Sequence, residues 1–170
     1  MPISGPAQNF PITTAIALIA PEELLSRKVR LGFDYWRMLC GTRCFPARGD
    51  VNPREIAGIL TNMALLKVID GGSDFRYRIV GDHAGRGYRA DLNGRSIREV
   101  AAEMPRAAEN WLRLYRQVTE SGKPMAVRVS VGHDAREVNF TKAEAVFLPL
   151  GETEDRVDHL ICFVEHELNA

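Results

Sequence analysis

The chain has 170 residues, 45% hydrophobic, 26% charged and 8% aromatic, which is enough apolar content for one sizeable core and too much for a disordered chain. Twenty-two Lys and Arg balance twenty-two Asp and Glu, so the zero net charge excludes a protein that coats nucleic acid by bulk attraction. No apolar run approaches the roughly 20 residues of a membrane helix, which excludes a helical membrane span.

In chain order, residues 1–20 open with Pro2, Gly5, Pro6 and Pro11 and read as a flexible arm with no positively charged leader. Residues 21–61 read as a helical extension. Pro21 with Glu22 and Glu23 is a helix start and Gly41 a stop, and Leu25, Val29, Phe33, Trp36 and Cys40 recur at helical spacing between them. This apolar stripe needs a cover, either the chain's own sheet or a second copy, and Leu25, Val29, Phe33 and Trp36 are the candidate dimer contacts. A short helix is predicted from Pro53, capped by Asn52, to about Thr61.

Residues 62–170 read as the core of the domain. Met63–Ile69 is a strand apolar on both faces, Gly71-Gly72 a turn, and Phe75–Val80 an alternating partner strand. Residues 81–100 are rich in glycine and imply short helical turns. Pro105 opens a helix whose stripe is Ala108, Trp111, Leu112, Tyr115 and Val118, and three strands follow at Met125–Val131, Glu137–Leu148 and Val157–Glu165. Two strands, helices, then three strands imply an antiparallel sheet of the α+β class, because parallel neighbours would need long crossovers. The doubly apolar strands, Met63–Ile69 and Val157–Glu165, belong in its centre.

Tyr35-Trp36 is followed by Arg43, Pro46, Arg48, Asp50 and Pro53 in the spacing W-x6-R-x2-P-x-R-x-D-x2-P, and then by Phe75–Gly81 and Asp91-Leu92-Asn93-Gly94-Arg95. With these residues the chain resembles a bacterial PAS-domain family with a helical N-terminal extension. The resemblance implies a five-stranded antiparallel sheet in the order 2-1-5-4-3, with Met63–Ile69 as strand one and Val157–Glu165 as strand five. Helices lie on one face, joined by the N-terminal helix. It makes Trp36, Arg43, Pro46, Arg48, Asp50 and Pro53 a signature loop, in which Arg48 pins the loop through an Arg–Asp pair or receives an anionic ligand.

The resemblance also implies a sensory or signalling module that binds a small molecule, a protein partner, or both. A pocket under the glycine-rich segment would be lined by Tyr77, Tyr88, Trp111, Tyr115 and Phe140, with His83 beside it. Flavin photochemistry is not expected, since no Asn-Cys-Arg-Phe-like segment lies between Gly81 and Glu103; haem would need His83 as its axial ligand. The four histidines and the carboxylates form no recognised catalytic motif, so an enzyme with an α+β pocket is the rival class and a nucleic-acid adaptor using the Arg-rich first half a third. Cys40, Cys44 and Cys162 are odd in number, and the first two are spaced C-x3-C, which suits neither a disulfide framework nor a zinc site. A homodimer in the cytoplasm that signals through a separate effector protein, away from membranes and nucleic acid, is the expectation.

Overall fold

A computed structural model describes residues 14–132 and 135–169. Six antiparallel strands form one sheet: β1 (Ala15–Ile19), β2 (Met63–Ile69), β3 (Asp74–Val80), β4 (Met125–Ser130), β5 (Phe140–Leu150) and β6 (His159–Leu168), in the spatial order β1-β4-β5-β6-β2-β3. The expected five-strand sheet is thereby corrected to six strands: β3-β2-β6-β5-β4 run in the expected order 2-1-5-4-3, and β1 extends that order beyond β4. The added strand, β1, pairs with the outer edge of β4, from Ala15 opposite Ser130 to Ile19 opposite Ala126.

That strand falls inside the segment read as a flexible arm, so the arm's boundary at residue 20 is corrected as well. Residues 1–13 lie outside the described residues. An unpaired edge on β4 would leave a row of backbone donors and acceptors to water or to another chain, and β1 satisfies them. On the opposite side the loop after β3 folds back on that strand. The Gly94 N–H donates to the Tyr77 carbonyl at 2.9 Å, and the Tyr77 N–H donates to the Arg95 carbonyl at 2.9 Å.

The expected helix from Pro21 is two pieces. Pro21–Glu23 is a single 3₁₀ turn, the chain extends at Leu24, and α1 (Arg27–Cys40) starts afresh with Ser26 as its cap, the Ser26 hydroxyl accepting from the Val29 N–H. Glu144 on β5 fixes this break. Its Oε1 accepts from the N–H groups of Leu25 at 2.8 Å and Ser26 at 2.7 Å, while Oε2 pairs with Arg128 at 3.0 Å. A 3₁₀ segment, Pro53–Asn62, follows with Asn52 as its cap, as the sequence predicts.

α1 lies on one face of β5 and β6. Val29, Phe33 and Trp36 are 0%, 6% and 6% exposed, and the Trp36 indole N–H donates to the Pro149 carbonyl at 2.8 Å. The candidate dimer stripe is therefore corrected to a core seam of the chain's own domain, with Leu25 alone, 78% exposed, left on the surface. Its burial follows from a central strand that is apolar on both faces: β6 needs a second cover, and α1 supplies it.

The other face carries α2 (Asp82–Arg86), α3 (Ile97–Val100) and α4 (Pro105–Ser121). α4 buries Ala108, Leu114, Tyr115 and Val118, and Gly122 ends it in the left-handed conformation at φ +64°, which costs a glycine nothing. No helix among the described residues is long and apolar enough to cross a membrane.

Candidate functional site

The period of two along each strand sends alternate side chains to opposite faces. On β6, Phe163 points to α1, while Cys162, Val164 and His166 share the face under α2–α4. Between that face and these helices lies a cavity of about 120 Å³. Its floor is built of small and branched side chains, Ala64, Val127, Val129, Ala143 and Ala145 among them, and short residues on neighbouring strands are what leave the space.

Five of the six candidate pocket residues line this cavity: Tyr77, Tyr88, Trp111, Tyr115 and Phe140. Tyr88 meets Trp111 edge to face with ring centroids 4.5 Å apart, and Tyr115 meets Phe147 in the same way at 5.5 Å. The hydroxyls of Tyr77 and Tyr115 are 3.0 Å apart in a hydrogen bond, with both residues buried. Burial pushes the Tyr77, Tyr88, Tyr115 and Cys162 acids well above their ordinary range, and for the three tyrosines the neighbouring acidic groups add to the effect. At neutral pH every one of them keeps its proton, so the cavity presents neutral donors in apolar walls.

The segment from 135 to 139 closes one side. The Arg89 N–H donates to the Glu137 carbonyl at 3.2 Å and the Asn139 N–H to the Gly87 carbonyl at 2.8 Å. Glu137 Oε1 accepts from the N–H groups of Arg106 and Ala107 at 3.0 and 3.3 Å, capping α4 from outside. A carboxylate at the positive end of a helix is well placed, and it ties the β4–β5 connection to α4. Exposed Arg106 and Arg136 stand at the rim.

His83 does not line the cavity. Its Nε2 accepts from the His166 backbone N–H at 3.3 Å and lies 3.6 Å from Glu165. A pocket for a large cofactor occupies several hundred Å³, far above about 120 Å³, so the residues present do not fit a haem held by His83. His166, by contrast, lies against the aromatic wall, tilted over Phe140 at 4.6 Å between ring centroids and 5.4 Å from Tyr88. The sequence carried a signal for it, since position 166 shares the parity of Cys162 and Val164. The hollow itself carried none, because which of two apolar faces stays unfilled depends on side chains from all six strands.

The signature loop lies apart from the cavity. Arg43 Nη2 meets Asp50 Oδ2 at 2.7 Å, and the Ala47 N–H donates to the same oxygen at 2.9 Å. The Arg43 hydrogen bond, then that of Ala47, hold the Asp50 carboxyl below its usual range. The expected pair is thus Arg43–Asp50 rather than one with Arg48, which is exposed and has no ion-pair partner among the described residues. Pro46 anchors the loop by accepting from the Gly151 N–H at 3.0 Å, and Pro53 starts the 3₁₀ segment.

A family model described as PAS domain matches residues 26–164, well over half of the chain. No curated protein and no solved structure gives a significant match.

Proposed function

The chain belongs to the PAS-domain family, and on that premise we propose that it is a sensory module whose signal is a small molecule held between the sheet and α2–α4. One observation carries this reading: an aromatic-walled cavity that the chain's own side chains leave unfilled. Close packing is the norm for protein interiors, and an apolar space of this size costs stability unless something occupies it.

The walls suit the role. α2 and α3 are five and four residues long, and the segment 135–139 is held over the cavity by a few backbone hydrogen bonds. Short elements with few buried contacts open at low free energy, which lets a ligand enter and lets its presence be felt at the surface. An effector protein that reads this change completes the proposal. Pairing of two copies would use a surface other than the α1 stripe.

Native mass spectrometry of protein purified without added ligand, beside a denatured control, tests the reading. The expected spectrum carries an added mass of a small molecule that denaturation releases, and the same spectrum reports subunit number. A spectrum of the bare chain, unchanged after incubation with benzene-sized compounds, would contradict it.

A further inference from the structure

The two tyrosine hydroxyls that meet at the cavity wall, Tyr77 and Tyr115, can be counted as donors and acceptors. Each tyrosine supplies one O–H. The hydrogen bond between Tyr77 and Tyr115 uses one of their two protons, and neither hydroxyl has another partner among the described residues. The second proton therefore sits on a buried oxygen, in residues 2% and 4% exposed, at the wall of an apolar space. A donor removed from water with no acceptor loses its hydration and gains nothing, a situation native interiors avoid.

We propose that the cavity receives a small neutral molecule, apolar over most of its surface and bearing one hydrogen-bond acceptor such as a ketone or ester carbonyl, which the Tyr77–Tyr115 hydroxyl pair holds. This inference rests on the ligand-binding reading above. The size is bounded by the space, since about 120 Å³ is close to the roughly 150 Å³ of an engineered cavity that takes up benzene. The polarity is bounded by the walls. A buried anion or cation would need a countercharge inside, and Arg106 and Arg136 are exposed at the rim. The donor is permanent, because burial keeps both phenols protonated through the neutral range.

Cyclohexanone, methylcyclohexane and cyclohexanecarboxylate are suitable probes: similar in shape, they differ in bearing an acceptor, no polar group, or a charge. Their affinities for the wild type and for Tyr77→Phe/Tyr115→Phe are compared by NMR titration. The expected result is a roughly fivefold to tenfold loss of cyclohexanone affinity in the double variant, the worth of one neutral hydrogen bond, with methylcyclohexane unchanged or tighter. Equal effects on ketone and hydrocarbon would overturn the acceptor while leaving the cavity as a ligand site. Tighter binding of the carboxylate than of the ketone to the wild type would also overturn it. Binding of none of the three would overturn the ligand reading itself. Should the double variant fail to fold, the carbonyl ¹³C shift of cyclohexanone bound to the wild type decides: a hydrogen-bonded value supports the proposal and the value seen in cyclohexane solution overturns it.

Discussion

His166 is 5% exposed and neither ring nitrogen has a hydrogen-bond partner. A neutral imidazole carries one N–H and one lone pair, so a donor and an acceptor are both left without partners. Charging the ring would be worse. Desolvation first, and the neighbouring His83 second, lower its pKa from 6.5 to about 4. Between those values the unfolded chain binds a proton that the folded chain refuses, so this contribution to stability is complete above about pH 6.5 and is lost as the pH falls toward 4. At about 1.4 kcal/mol per pH unit, going from pH 6.5 to pH 5 costs about 2 kcal/mol. His166→Phe keeps the ring against Phe140 and removes the titration. Urea denaturation at pH 7 and pH 5 is expected to show the wild type losing about 2 kcal/mol more than the variant. An equal loss in both would show that the imidazole titrates freely in the folded protein.

At the scale of elements, the seating of α1 on β6 turns on Gly32. Helix propensity alone favours alanine there by about 1 kcal/mol. A methyl group at that position would run into the ring of Phe163, which is fully buried on a central strand and has no room to retreat. Overpacking of this kind costs about 1–3 kcal/mol, more than the propensity returns. Gly32→Ala is expected to destabilise by about 1 kcal/mol or more in chemical denaturation, whereas Gly58→Ala, which meets open space, is expected to be close to neutral. A stabilised Gly32→Ala would mean that α1 is not packed this closely. The elements also show where sequence patterns inform and where they do not. The β2–β3 hairpin, α4 and its glycine stop were legible because their signals are local: a Gly-Gly turn, a Pro start, a 3.6-residue stripe. β1 was not, since its five residues pair with a strand more than a hundred positions away and no local feature announces that partner. The single helix expected from Pro21 to Cys40 failed for a related reason, because Glu144, on a distant strand, stabilises the break before Arg27.

For the molecule as a whole, the sheet divides two tasks. Its α1 face is filled, from Gly32 against Phe163 to Trp36 against Pro149, and its other face is hollow beneath α2–α4. Periodicity identifies both faces of the central strands as apolar, and the resemblance to PAS domains brings Tyr77, Tyr88, Trp111, Tyr115 and Phe140 into view. They do not distinguish filled from hollow, and for that reason Val29, Phe33 and Trp36 looked available to a second copy. The division has a direct consequence for ligand response. Methyl-resolved NMR during a titration with cyclohexanone reports both faces at once. Shifts are expected to concentrate on Ile16, Ala64, Val127, Val129, Ala143 and Ala145, which line the cavity, with the buried Val29, Leu65, Val146 and Leu148 left nearly still. Shifts centred on the α1 face, or a spectrum that never moves, would contradict the claim that the hollow side of the sheet is where this protein takes its signal.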